Sequence, residues 1–361
     1  MGRMKVTIED LRVGAVLAED VMGMTGQPII PKKTIITPEH IEVLKAFLKT
    51  DVIIEGLTRK HDQKKNDERV HDTKEEKKII YSSFREDFEI AVTKYKIDFQ
   101  KWQSGSAVDI ANVRDFLYKL LEKAEEKNIS ISSQNFSTNQ NNYIYDHSVA
   151  VGIISGLIAK KMGYDKGLYY QTALAGCLAN VGMAKISPKI LTKSGVLTSE
   201  ENKEIQDHPN LSLKMIQNSP LLKPETKLAV FQHHERLDGS GYPMGIKGNQ
   251  FYPISRIVAV ADVFHALISN RSHKKNIAPL KAIEMMKIDE FGKYDISVLN
   301  TLSLMAAKLS IGTRVRLSNG EIGVVLFTKQ HALTRPLIKL NNGESIDLEK
   351  MREIYIEEVY S

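Results

Sequence analysis

Two adjacent histidines, His233 and His234, stand between an apolar stretch and a loop with two glycines; residues 233–243 read His-His-Glu-Arg-Leu-Asp-Gly-Ser-Gly-Tyr-Pro. Consecutive helical side chains point about 100° apart, so both rings can line one polar cavity, and imidazole is the commonest protein ligand for transition metals. The glycines permit tight turns and close approach of a ligand. The alternative is a helix end whose dipole the histidines complement and whose glycines stop the helix.

Three further residues extend this pattern, because His147, His208 and Asp262 each lie in or beside an apolar helical segment. Asp262 follows Ile-Val-Ala-Val-Ala and precedes Val-Phe, and an unpaired carboxylate is costly to bury there. Together with His233 and His234, these residues predict a shared metal site between helices. The alternative is that core hydrogen bonds satisfy each histidine separately.

The composition sets limits on the class of protein. The chain has 361 residues, enough for two or three domains, and its 42% hydrophobic and 26% charged residues are typical of soluble globular proteins. The net charge of +6 is spread along the chain, which argues against a nucleic acid polymer as partner. There is no signal peptide pattern and no apolar run of about 20 residues, so we expect a cytoplasmic protein without a membrane partner. Cys177 is the only cysteine, which excludes an intramolecular disulfide.

Hydrophobic spacing predicts a mainly α protein. Five segments are predicted: a small α+β module (1–56), a charged linker or exposed helix extension (57–78), a helical connector (79–142), a helical domain (143–310) and a small β module (311–361). Helices within the domain are predicted over 144–162, 166–179, 199–218, 222–235, 254–270 and 294–309. The long amphipathic region around 80–127 must bury its apolar stripe, which would suit a homodimer.

The region from about 143 to 300 resembles the HD-GYP family, a branch of the HD-domain phosphohydrolases. The matching stretches are 145–148, 185–195, 197–201, 208–209, 233–243, 261–263 and 269–271. The resemblance implies an HD-domain-like helical bundle. It also implies an activity, because active members use two or three metals, often iron or manganese, to hydrolyse cyclic di-GMP to pGpG or GMP.

One motif departs from the family. Where the family reads Leu-His-Asp-Ile-Gly-Lys, this chain reads Leu-Ala-Asn-Val-Gly-Met, with Ala179, Asn180 and Met183 at the changed positions. The family aspartate bridges two metals, whereas Asn180 is neutral and offers one carbonyl oxygen and an NH2 group. Tyr143 stands where some members carry a glutamate for a third metal. These changes predict an impaired two-metal hydrolase.

The resemblance also implies a ligand-binding surface, formed by Arg236, Asp238, Gly239, Gly241, Tyr242, Pro243, Arg271 and Lys274. Arg271 and Lys274 suit phosphate oxygens. Tyr242 would stack on a guanine or anchor the loop. For Arg236, an ion pair with Asp238 or Asp262 is an equal alternative.

Three functions therefore compete. The first is a catalytically impaired regulatory or binding protein in cyclic di-GMP signalling, with cyclic di-GMP or a signalling protein as partner. The second is a weak metal-dependent phosphodiesterase, and the third is a purely structural interaction module. The expected cofactor is one divalent iron or manganese ion on His208, His233 and His234, or none.

Overall fold

The computed structural model describes residues 3–8, 10–22, 28–46, 49–55, 65–131, 136, 142–193, 195–269, 276–288, 291–307 and 309–360. The chain divides into two compact units, one formed by Met1–Lys74 with Leu309–Ser361 and the other by Glu75–Lys308. The second unit is helical and carries every candidate site residue.

The helices in the described part of the chain are α1 (Pro38–Ala46), α2 (Lys65–Gln103), α3 (Ile110–Glu126), α4 (Tyr143–Lys161), α5 (Lys166–Leu178), α6 (Pro188–Leu191), α7 (Ser199–Gln206), α8 (His208–Ile216), α9 (Pro224–Gln232), α10 (Pro253–Ile268), α11 (Pro279–Ile288) and α12 (Ile296–Ala306). Helix α1 lies in the first unit and most of α2 in the second. A mainly α fold is therefore confirmed. None of the described helices is both long and apolar enough to cross a bilayer.

Two small β modules lie in the first unit. In the N-terminal one, β1 (Arg3–Thr7) pairs antiparallel with β4 (Asp51–Glu55), and β2 (Val21–Met22) pairs with β3 (Pro28–Ile30). In the C-terminal one, β5 (Arg314–Leu317), β6 (Ile322–Phe327), β7 (Leu337–Leu340), β8 (Ser345–Asp347) and β9 (Ile356–Tyr360) form an antiparallel sheet of order β8-β7-β6-β5-β9. Both modules agree with the period-2 patterns of the sequence.

Glycines let α4 and α5 cross closely. A Cβ added to Gly152 would lie 2.8 Å from the Cβ of Cys177, and one added to Gly176 would lie 2.7 Å from the carbonyl oxygen of Val151. Such distances leave no room for any side chain, because core atoms are already close-packed. The crossing fixes the beginning of α4, which carries His147, relative to the end of α5, which leads into Ala179 and Asn180.

Three predictions about elements need correction or addition. The single helix predicted over 199–218 is two helices, α7 and α8, because Pro209 has no N–H to donate into a preceding turn. Helix α11 was not predicted. Helix α2 already begins at Lys65. Of the two alternatives for residues 57–78, a linker or a helix extension, the helix extension therefore fits residues 65–78. The domain boundaries stay predictions.

The apolar stripe of α2 is buried within the helical unit. Phe84 and Phe88 each pack edge-on against Phe136, and all three side chains are buried. Tyr95, also buried, donates to the carbonyl oxygen of Cys177 at 3.2 Å. The stripe thus has partners inside its own chain and supplies no argument for a homodimer, which stays a prediction.

Candidate metal centre and adjoining cleft

Three histidines converge at the start of α8 and the end of α9. His208 is the first residue of α8, and His233 and His234 follow directly after α9. One ring nitrogen from each lies within 4.8 Å of the others. This is the trio that the sequence predicts for a single ion.

Close packing after α5 holds His208 in place. A Cβ on Gly182 would lie 2.3 Å from the carbonyl oxygen of His208, so only glycine allows this approach. The hydroxyl of Ser212 donates to the carbonyl oxygen of Ala179 at 2.7 Å and accepts from the N–H of Gly182 at 2.8 Å. The segment that replaces the family motif is therefore fastened directly to the helix that carries His208.

The hydrogen bonds of His208 and His233 determine which ring atoms face the centre. The Nδ1 of His208 donates to the carbonyl oxygen of Ile205 at 2.7 Å, and the Nδ1 of His233 donates to that of Val230 at 2.7 Å. In neutral rings the Nε2 atoms then carry lone pairs, and these two atoms lie 3.0 Å apart. Two lone pairs this close repel each other, and a cation bound to both would relieve the repulsion, so the donor set fits a metal ion.

At neutral pH a proton does not serve as the cation shared by these two nitrogens. Burial, with a smaller contribution from His233, lowers the pKa of His208 to about 3. Burial also lowers the pKa of His233, and it lowers that of His234 well below its usual range. Metal ions bind neutral imidazole, so this environment prepares all three rings as ligands.

Asp262 connects the trio to His147. Its Oδ1 lies 2.8 Å from the Nε2 of His147, and its Oδ2 lies 3.9 Å from the Nδ1 of His234. Burial alone would raise the pKa of Asp262, but the hydrogen bond that His147 donates holds it well below its usual range. The structure thus brings together all five residues proposed as metal ligands.

His265 also belongs to this cluster, although it was not among the predicted site residues. It is buried, and its Nδ1 lies 3.0 Å from the Nδ1 of His147. Its position three residues after Asp262 in α10 places it on the same helix face, and this spacing is the signal that could have identified it.

The replaced motif lies in the core. Ala179 and Asn180 are both buried, and Met183 is partly buried. Among the described residues, the Nδ2 atom of Asn180 is a buried group without a hydrogen-bond partner. A neutral amide offers a cation one carbonyl oxygen and no charge, and leaving its N–H group unpaired costs about 1–3 kcal/mol.

Several residues predicted to bind a ligand shape the loop after His234. The carboxylate of Asp238 accepts from the N–H and the hydroxyl of its neighbour Ser240 at 2.9 and 2.7 Å, which is a local turn. Gly239 has a φ of 82°, and a Cβ on Gly241 would lie 2.5 Å from the carbonyl oxygen of His234. Buried Glu235 accepts from the N–H of Met244 at 2.7 Å, which ties the far side of the loop, including Pro243, to the metal centre.

Tyr242 anchors the loop on the trio. Its ring stacks on that of His234 with centroids 4.7 Å apart and an interplanar angle of 25°. Its N–H also donates to the carbonyl oxygen of His234 at 3.1 Å. Of the two roles predicted for Tyr242, anchoring is the one for which the structure gives contacts.

A cleft of about 280 Å³ adjoins His234; its walls are His234, Arg236, Ser240, Gly241, Tyr242, Val263, Leu267, Met285, Met286, Lys293 and Tyr294. The guanidinium of Arg236 lies 4.9 Å from the ring centroid of Tyr294 and donates to the carbonyl oxygen of Glu235 at 2.7 Å. These contacts replace the ion pair with Asp238 or Asp262 considered for Arg236. Arg271 and Lys274 lie outside the described residues, whereas Lys293 lines the cleft and was not among the predicted site residues.

The lowered histidine pKa values predict an acid-sensitive fold. Below about pH 6.5 the unfolded chain protonates His208, while the folded chain does so only near pH 3, so unfolding is favoured as pH falls between these values. In chelator, we expect the free energy of unfolding to fall by about 1.4 kcal/mol per pH unit from this residue alone. Urea unfolding at several pH values would measure it. In the His208→Gln variant the free energy of unfolding should fall less steeply with decreasing pH. A slope equal to that of the parent would contradict a lowered pKa of His208.

The helical unit is similar in sequence to known proteins. Residues 123–298 match the family model described as HD domain. A cyclic di-GMP phosphodiesterase of Pseudomonas aeruginosa is 30% identical over 67% of this chain and 58% of its own length. A cyclic di-GMP phosphodiesterase of Thermotoga maritima is 36% identical over 46% of this chain and 43% of its own length.

These matches leave much of each relative uncovered, because the chain spans about half the length of the curated relatives it matches. A solved structure from Bdellovibrio bacteriovorus, described as an HDG"Y"P protein, covers 83% of this chain and 98% of that one, at 16% identity and a TM-score of 0.43. A likeness of that size indicates neither ligand nor activity. The family match and the two relatives agree with the motifs of residues 143–300, and residues 123–298 therefore form an HD domain of the HD-GYP type.

Proposed function

We propose that this chain is a regulatory HD-GYP-type protein that binds cyclic di-GMP and holds one divalent ion, iron or manganese, without efficient hydrolysis. The observation that carries the proposal is Asn180. It occupies the position of the family's bridging aspartate, and its buried Nδ2 has no hydrogen-bond partner among the described residues.

Two-metal hydrolysis needs an anionic bridge. Two cations about 3.5–4 Å apart repel each other unless a shared carboxylate offsets their charge. Asn180 supplies no charge, and the neighbouring Ala179 supplies no donor atom. The remaining acid, Asp262, is already engaged with His147 and lies near His234.

The trio His208, His233 and His234 would hold the single ion. The paired Nε2 lone pairs of His208 and His233, 3.0 Å apart, are the feature that supports this set. When bound, the ion would supply positive charge for phosphate oxygens at the inner end of the cleft. Without a second ion, the lowering of a water pKa that drives hydrolysis is much reduced.

The cleft beside the trio fits an anionic ligand. Arg236 and Lys293 bring two cations to its wall, and a guanidinium is suited to two oxygens of one phosphate. The relatives named cyclic di-GMP phosphodiesterases make this nucleotide the ligand of choice. A protein that binds cyclic di-GMP without hydrolysing it would act as a receptor and transmit the signal to a protein partner.

A second candidate is a weak phosphodiesterase, favoured by the survival of His147 and Asp262. His147 lies 2.8 Å from Asp262, and Asp262 lies 3.9 Å from His234 of the trio. A second ion would therefore find two of its family ligands beside the first site. A third candidate is an interaction module that has lost the nucleotide.

Turnover and binding assays separate the three candidates. With added manganese or ferrous iron, the full chain is expected to bind cyclic di-GMP in calorimetry but to release no appreciable pGpG, because the bridge is missing. Linear pGpG that forms in proportion to protein, and disappears in a His233→Ala variant, would establish the phosphodiesterase instead. Absence of both binding and turnover would leave the interaction module.

A further inference from the structure

His265 is a buried histidine whose hydrogen bonds reach the metal centre through His147. Its Nε2 lies 3.1 Å from the carbonyl oxygen of Phe136, and its Nδ1 lies 3.0 Å from the Nδ1 of His147. The hydroxyl of Ser269 donates to the carbonyl oxygen of His265 at 2.6 Å and lies 3.2 Å from its Nδ1. His265 is only 1% exposed, so water does not compete for these contacts.

These contacts determine where the ring protons lie. A carbonyl oxygen can only accept, so the Nε2 of His265 carries its proton, and the Nδ1 of the neutral ring is an acceptor. The facing Nδ1 of His147 must then donate. The Nε2 of His147, 2.8 Å from the carboxylate of Asp262, also donates when no metal is bound, and this is the proton that a metal would displace.

We infer that His265 is a positioning residue that fixes the tautomer and orientation of His147, so that His147 offers its Nε2 as a further ligand to the single ion held by His208, His233 and His234. This inference rests on the proposed metal centre. A ligating histidine commonly donates its other ring N–H to a fixed acceptor, and loss of that partner weakens metal affinity about 10- to 100-fold. Here the acceptor is another imidazole.

A competing acceptor is present and must be tested separately. The hydroxyl of Tyr143 lies 3.5 Å from the same Nδ1 of His147, at the limit of a hydrogen bond, and its ring stacks on that of His147 with centroids 5.3 Å apart. At that distance the hydroxyl is the poorer partner for Nδ1. The Tyr143→Phe variant removes the hydroxyl and keeps the stacked ring.

Nitrogen-15 NMR of the histidine-labelled full chain tests the inference, with zinc as the diamagnetic probe. In the metal-free parent we expect the Nδ1 of His147 to carry a hydrogen-bonded proton, and in the zinc-loaded parent we expect its Nε2 to show the shift of a metal-bound nitrogen. His265→Leu removes the acceptor, and zinc affinity should fall about 10- to 100-fold with loss of the protected Nδ1 proton. His265→Gln keeps an acceptor oxygen and should stay within about threefold of the parent.

Several outcomes would overturn the inference. One is a parent His147 that carries its proton on Nε2 alone, a result that needs no variant and so does not depend on the folding of His265→Leu. Another is a Tyr143→Phe variant that reproduces the effect expected of His265→Leu, or a folded His265→Leu variant that matches the parent. Failure of the parent to bind zinc would count against the proposed metal centre, while the proton position in the metal-free protein would still test the role of His265.

Discussion

Replacing Ala179 by histidine and Asn180 by aspartate is expected to raise the number of bound metal ions from one to two per chain. The other ligands of the family site are already in contact, since Asp262 lies 2.8 Å from His147 and 3.9 Å from His234. The new aspartate supplies the missing anionic bridge. If Met183→Lys is added, we expect cyclic di-GMP hydrolysis to rise on the order of 100-fold or more above the parent.

The stability of the double variant should depend on metal. Both replaced side chains are buried, so an unpaired aspartate at 180 would cost several kcal/mol and a histidine at 179 must displace packed neighbours. Added manganese should therefore raise its melting temperature more than that of the parent. Ala179→His alone keeps the neutral Asn180 and serves as the matched control. A triple variant that folds but neither takes up two metals nor cleaves cyclic di-GMP would contradict the account and favour an interaction module.

Removing His233 is expected to weaken manganese binding by more than about 100-fold, because it deletes one of three ligands rather than a supporting partner. His233 is fully buried, and its Nε2 lies 3.0 Å from that of His208. The His233→Ala variant leaves His208 without the facing lone pair that completes the site. Calorimetric titration with manganese, in protein first stripped with chelator, would measure the loss.

Two variants make that test specific. His233→Gln keeps most of the volume, so a loss of affinity in a variant that remains folded is not a consequence of a cavity. His331→Ala removes an exposed histidine that pairs with Glu349 in the other compact unit, and it should bind manganese as the parent does. Unchanged affinity in both His233 variants would show that the trio does not hold the metal.

The helical unit and the trio were predictable from local pattern. Apolar spacing located α4, α5, α9 and α10 to within a few residues, because each helix buries a continuous face. Asp262 stood out because seven apolar neighbours made an unpaired carboxylate there too costly to leave without a partner. The break between α7 and α8 was missed because apolar spacing continues through Pro209, although its ring cannot continue the hydrogen-bond ladder.

The contacts that refine the site depend on distant pairs, which one sequence does not reveal. Arg236 packs on Tyr294 across the cleft, and the acids near Arg236 in sequence misled the prediction of an ion pair. The carboxylate of Asp238 is used by its own turn, a local hydrogen bond that competes with any ligand. His265 was overlooked because a histidine inside an apolar helix is typical of an ordinary core residue until His147 is placed 3.0 Å from it.

The metal content of the native protein tests the central claim most directly. The full chain would be purified without air, so that ferrous iron survives, and its iron and manganese would be counted per chain by elemental analysis. A neutral Asn180 in place of the bridging carboxylate predicts at most one weakly held ion, bound by His208, His233 and His234. Two tightly bound ions per chain would contradict the account and would mean that another group bridges them in place of Asn180.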